Sequence, residues 1–212
     1  MLDFTMPDFQ TLLIYVIPLI FAITIHEVAH GWVANQRGDS TARMLGRLTL
    51  NPVKHIDPVG TLLVPAVLFF TGSPFLFGWA KPVPINFNAL KSPKKDMIAV
   101  ALAGPISNFI MALLWLLVVA LTLDIANQFL LKMAEFGIAI NLVLGVFNLL
   151  PLPPLDGSRV VTALLPNYLA YQYNKLEHYG LYILLGLLFL GVFEYVVLPI
   201  VNTLRYAMLA LI

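Results

Sequence analysis

The chain has 212 residues, 60% of them hydrophobic and 11% charged, with a formal net charge of +1. Soluble domains carry roughly 25% charged residues; less than half that share, with a mean hydropathy of +0.88, excludes an ordinary soluble domain and indicates an integral membrane protein built as one compact bundle. The balanced charge and the lack of any nucleic-acid module exclude a nucleic-acid binder, and the absence of cysteine excludes disulfides and thiolate metal sites, leaving His, Asp and Glu as metal ligands.

The N-terminus, "MLDFTMPDFQ", holds two acids and no base. It lacks the basic n-region of a signal peptide, so the first hydrophobic segment is expected to stay as a helix. A spanning helix needs about 20 apolar residues. Candidate segments run over 9–32, 59–80, 97–123, 136–155 and 178–193, followed by an apolar tail over 195–212 interrupted by Pro199 and Arg205. The expected fold is an all-α integral membrane protein, a polytopic helix bundle of five to six hydrophobic segments. It forms a single transmembrane domain over 1–212, with a core over about 9–160 and C-terminal helical segments beyond.

The second segment carries Pro58, Pro65 and Pro74, with "TGSP" near its middle. Proline breaks a helix unless neighbours satisfy the freed carbonyls, so this segment either spans or re-enters. The loop before it carries Arg37, Arg43, Arg47 and Lys54, and the loop after it Lys81, Lys91, Lys94 and Lys95. The positive-inside rule places both loops in the cytoplasm, which requires the second segment to re-enter. The first and fourth segments then both run inward.

"TIHEVAHGW" closes the first segment. Ionisable groups at membrane depth are costly and usually functional. His26, Glu27 and His30 fit H-E-x-x-H on a helix: positions i and i+4 share a face, so both imidazoles reach one ion. Glu27 can then face a water that zinc acidifies toward a pKa of about 7. The competing reading is a helix end whose polar residues meet headgroups, with Trp32 as interface anchor. A catalytic zinc needs a third protein ligand and an open position. The best candidate is Asp156 in "NLLPLPPLDGSR", after three prolines that unwind the fourth segment. Taken alone, Asp156 reads better as the cap of a helix starting near Ser158. Topology favours the ligand reading, since both inward segments bring His26, His30 and Asp156 to one face.

These residues resemble the site-2 protease family of intramembrane zinc metalloproteases. "HEVAHGWVA", "AGPISNF" and "NLLPLPPLDGSR" are similar to its three core motifs, in the same order, from residue 26 to residue 159. The resemblance implies one zinc per chain held by His26, His30 and Asp156, with Glu27 as general base. It implies Asn148 as donor to the substrate carbonyl or oxyanion, and it places Asn108 in a motif of less defined role. It further implies peptide-bond cleavage within or near transmembrane segments of membrane proteins. The site would lie a short way below the cytosolic surface. The chain looks like a small prokaryotic member, multi-pass in the cell membrane, without the PDZ or nucleotide-binding domain that many relatives carry.

Other polar residues have plainer readings. His55 and Asp57 in "KHIDP" either line the site entrance or form a polar turn before Pro58. "KPVPINF", 81–87, alternates Val83, Ile85 and Phe87 between prolines. It is either an interfacial loop or a short edge strand or hairpin that receives an unwound substrate by β-augmentation, with Val83 and Ile85 as substrate contacts. Asn108 either bonds a neighbouring helix or touches substrate. His178 and Glu177 read as interfacial. The expected partners are a transmembrane protein substrate and the lipid bilayer, with no nucleic acid; the sequence is silent on oligomeric state. Rival functions are an inactive relative that binds helices without cutting them, and a metal-binding or transport membrane protein, which would need ionisable residues along a path through the bilayer.

Overall fold

The computed structural model describes residues 9–71, 78–125 and 127–212. The acidic residues of 1–8 and the "GSP" stretch with Pro74 lie outside the described residues. Three helices are long and apolar enough to cross a membrane: α1 (Phe9–Arg37), α4 (Pro93–Thr122) and α5 (Gln128–Asn148). Between α1 and α4 lie the short α2 (Thr41–Met44) and α3 (Val64–Phe70); after α5 come α6 (Asp156–Leu164), α7 (Asn167–Asn174), α8 (Gly180–Phe189) and α9 (Leu198–Leu209).

α4 is the central element and packs against α1, α5 and α6. Ala112, Leu116 and Val119 of α4 bury against Ala134, Ile138, Leu142 and Val146 of α5, and Val197 and Val201 close the cluster. Small residues set the spacing, because lipid gives helices no hydrophobic reason to associate and close backbone approach must do it. A Cβ on Gly137 would lie 2.4 Å from the Trp115 ring. Pro93 opens α4 at a position where its missing N–H costs nothing. Asp96 reaches back to the Ser92 N–H at 2.7 Å and accepts from Arg37 Nη1 at 3.3 Å, tying the start of α4 to the end of α1.

Among its described residues the second hydrophobic segment forms no helix long enough to cross. Asp57 caps a π-helical turn over Pro58–Leu63, accepting from the Val59 and Gly60 N–H groups. The thirteen residues from Pro58 to Phe70 rise only about 20 Å, against a hydrocarbon thickness of about 30 Å. The chain then returns beside its own start: the Trp79 N–H donates to Gly60 O at 3.1 Å, and Thr61 Oγ1 donates to Trp79 O at 2.8 Å. That is the geometry of a re-entrant segment.

Two expectations change. The segments over 178–193 and 195–212 form one bent unit. Its arms, Asn167–Phe189 and Phe193–Leu209, meet at 67° and amount to one crossing at most. Among the described residues there are three to four candidate spans, fewer than the five to six hydrophobic segments counted in the sequence. Apolar content made both stretches look like spans, but the break at Gly191, with φ +71°, turns the chain where most side chains are strained. No strand occurs among the described residues either. Residues 82–86 belong to no helix or strand and have no ladder partner, and Asn86 at their end is extended. Pro82 and Pro84 remove N–H donors, and side chains hold the rest.

Those side chains come from the α1–α2 corner. Arg47 Nη2 donates to Lys81 O at 2.9 Å, and Asp39 Oδ2 accepts from the Asn86 N–H at 2.7 Å. Asp39 is buried and also accepts from the Thr41 N–H and hydroxyl. Burial raises its proton affinity, but these three donors outweigh burial and hold the carboxyl below its ordinary value. A depressed carboxylate contributes stability that is present above the unfolded value of about 3.9 and lost as pH falls through the folded value. Asp39→Asn turns an acceptor against the Asn86 N–H into a donor. It is expected to cost about 1 kcal/mol at pH 7, a melting shift of about 2–4 °C, with the wild-type and variant melting curves converging as the pH is lowered below 4.

Candidate metal centre

His26 and His30 lie one turn apart on the buried face of α1. Each imidazole has a fixed partner on its Nδ1 side. His30 Nδ1 is 2.7 Å from Val100 O of α4. A carbonyl can only accept, so Nδ1 carries a proton, and in the neutral imidazole, the form that binds a metal, Nε2 presents the lone pair. His26 Nδ1 lies 2.6 Å from Asn108 Oδ1, and the Asn108 amide nitrogen donates to Asn141 Oδ1 and to Ala22 O. In its neutral form His26 likewise presents its lone pair at Nε2.

The two Nε2 atoms are 3.0 Å apart, and Asp156 Oδ2 stands 3.1 Å from one and 3.2 Å from the other. With both imidazoles neutral, three acceptor atoms converge here. Asp156 Oδ2 is buried and carries no hydrogen bond. Such a group is costly unless a cation completes it. These three form the one cluster of its kind among the described residues. A tetrahedral zinc with bonds of about 2.0–2.1 Å separates its ligands by about 3.3 Å, close to the observed edges. The donor set fits the ion.

Backbone placement makes the triangle. A Cβ on Gly104 would fall 2.3 Å from His30 Nε2 and 2.6 Å from His26 Nε2, so only glycine lets α4 pass this close. α5 ends at Asn148, and 151–155 turns the chain so that α6 begins at Asp156. Its N-cap is Leu155; Asp156 occupies the first helical position, and its Oδ2 faces the histidines instead of capping the helix. A Cβ on Gly157 would lie 2.3 Å from Leu149 O, so that glycine lets α6 press against the end of α5. Tyr173 Oη donates to Pro151 O at 2.7 Å and braces the turn from α7.

Glu27 faces a cavity of about 240 Å³ together with His30, Asp156 and Arg159, with Val83 and Ile85 on its far wall. The Val83 N–H donates to Glu27 Oε2 at 2.7 Å. Arg159 lies 5.7 Å from the Phe87 ring centroid and pairs with Glu177. Asn148 does not line this cavity; its amide donates to Leu144 O at 3.0 Å. Asn108 is fully buried and reaches His26, not the cavity. His55 sits in the turn before Pro58, donating from Nε2 to Thr49 O, and His178 is exposed. Sequence reasoning missed the clearance at Gly104, the Val83–Glu27 bond and Asn141. The last left a trace, a lone amide in an apolar helix.

Fold and site together define a helical protein with helices fit to cross a membrane and a His2Asp cluster that could hold a metal ion, beside a carboxylate. Residues 123–191 match the description "Peptidase family M50". Over 203 residues the chain is 41% identical to "Putative zinc metalloprotease YwhC" of Bacillus subtilis (strain 168), covering 92% of this chain and 89% of that one. It is 31% identical over 138 residues to "Putative zinc metalloprotease Rip2" of Mycobacterium tuberculosis (strain ATCC 25618 / H37Rv), 65% of this chain and 52% of that one. It is 25% identical over 153 residues to "Zinc metalloprotease MJ0392" of Methanocaldococcus jannaschii, 72% of this chain and 34% of that one. No solved structure shows a significant match. The chain belongs to peptidase family M50, the site-2 proteases.

Gly104→Ala is expected to push the imidazoles apart and to lower metal content per chain as far as Asp156→Ala does, by mass spectrometry of the purified proteins. A Gly104→Ala protein that keeps one equivalent would show that α4 can give way at this point.

Proposed function

We propose that the chain is an intramembrane zinc endopeptidase. It hydrolyses peptide bonds within or near transmembrane segments of membrane proteins, with one zinc held by His26, His30 and Asp156. The observation that carries this reading is the convergence of two imidazole Nε2 atoms and the Asp156 carboxylate beside the Glu27 carboxylate. When bound, zinc supplies Lewis acidity, polarising a peptide carbonyl and acidifying water.

The chain's residues supply the rest. Glu27 takes a proton from the attacking water at its carboxylate and delivers it to the leaving amide nitrogen. The Val83 N–H orients that carboxylate toward the cavity. A helix hides its carbonyls, so a substrate must unwind before cleavage; the 82–86 segment offers an unwound chain a backbone to pair with. Asn148 stabilises the oxyanion only after its amide leaves Leu144 O, a rotation that substrate binding has to drive. Arg37 ends α1 and Arg43 and Arg47 follow it, and they favour a prokaryotic cell-membrane orientation with the site near the cytosolic side. The transport alternative would need ionisable groups along α4 and α5, and the middle of neither helix carries one.

With a single-span membrane protein as substrate, Glu27→Gln is expected to cut turnover at least about 100-fold while leaving one zinc bound per chain. Chelation should abolish turnover and added zinc restore it. Unchanged turnover in the Gln variant would rule out the proposed role of Glu27.

A further inference from the structure

Asn141 takes no part in the mechanism, yet both ends of its amide are committed. It is fully buried, as is Asn108. Its Nδ2 donates to Gly137 O at 2.8 Å, and its Oδ1 accepts from Asn108 Nδ2 at 3.0 Å. Asn108 Oδ1 then accepts from His26 Nδ1 at 2.6 Å. The chain of bonds has a direction, and a backbone carbonyl sets it. Gly137 O can only accept, so Asn141 must turn its NH2 toward it and its oxygen toward Asn108. Asn108 must then donate to Asn141 and offer its own oxygen to His26. The second donor contact of Asn108, to Ala22 O, is longer at 3.3 Å and leaves the Asn141 contact as the stronger restraint.

We propose that Asn141 is a positioning residue for the metal centre. Through Asn108 it holds His26 as the Nδ1–H tautomer, with the Nε2 lone pair aimed at Asp156 Oδ2 and His30 Nε2. A flipped Asn108 would set its oxygen against Asn141 Oδ1, two acceptors in a dry site, so the relay excludes the alternative tautomer. Outer partners of metal-bound histidines fix tautomer and ring orientation in this way; here the controlling group is two residues removed, on α5. The inference rests on reading His26 as a metal ligand.

Two substitutions of similar size separate this role from packing. Asn141→Leu removes donor and acceptor. Asn141→Asp keeps an oxygen facing Asn108 and, when protonated, also donates to Gly137 O. The relay requires the Leu variant of the full chain in detergent to bind zinc about 10–100-fold more weakly than wild type, measured by chelator competition, and the Asp variant to recover most of that loss. A packing role requires the reverse order, since a buried carboxyl is worse tolerated than leucine. Zinc affinity unchanged in the Leu variant, or equal loss in both, would overturn the proposal. Should the Leu variant not fold, imidazole nitrogen NMR of the metal-free wild type and Asp variant above pH 7.5 decides. His26 as Nδ1–H supports the relay, and Nε2–H refutes it. Wild-type protein that binds no zinc would sink the metal reading, and the tautomer measurement, which needs no metal, would still judge the relay.

Discussion

Two imidazole nitrogens and a carboxylate oxygen about 3 Å apart set the terms for this structure. Two of those atoms are donated by one turn of α1 and the third by the first residue of α6, 126 positions further on. Without a positive charge their mutual repulsion in a dry interior would spread them. Everything that borders the triangle either presses the acceptors together or removes their alternatives. Gly104 lets α4 lie against both imidazoles, Gly157 seats α6 on the end of α5, and each Nδ1 is occupied by a fixed acceptor.

The membrane setting explains where the polar groups are placed. Buried amides and imidazoles sit between α1, α4 and α5, away from lipid, and each amide completes its bonds within those three helices. In hydrocarbon an unpaired amide would be costly, so the polar chain that orients His26 also holds the three helices in one register. Outside the triad, the cluster of Ala112, Leu116, Ile138 and Leu142 carries that packing onward toward the opposite end of the helices.

The segment at 82–86 is attached on a different principle. It has no ladder, and its prolines keep it from forming one. Arg47, Glu27 and Asp39 grip it through backbone atoms. A segment held by a few side-chain bonds opens at lower cost than one in a sheet. Since Val83 bonds to Glu27, any movement of this segment is felt at the carboxylate. The wall of the cavity and the proposed base are thus coupled through one hydrogen bond.

Some of this could be read from residue order alone. His26 and His30 share a face because a helix repeats every 3.6 residues, and the prolines at 151, 153 and 154 had to end α5 before Asp156. The basic residues on both sides of the second segment implied that it turns back, and the Trp79–Gly60 bond has that shape. Local pattern was a poor guide where a break inside an apolar run mattered, as at Gly191, and where prolines left a segment without a ladder partner, as at 82–86. It could not rank Asp156 as a ligand over a helix cap, because the two differ only in where one carboxylate oxygen points. Nor could it show that Gly104 clears the imidazoles or that Asn141 stands behind Asn108. Periodicity and composition are properties of neighbouring residues, and they determined which stretches became helices and which faces were apolar. The triangle, its clearance and its relay are made by atoms on four different helices, and only their packing decided those.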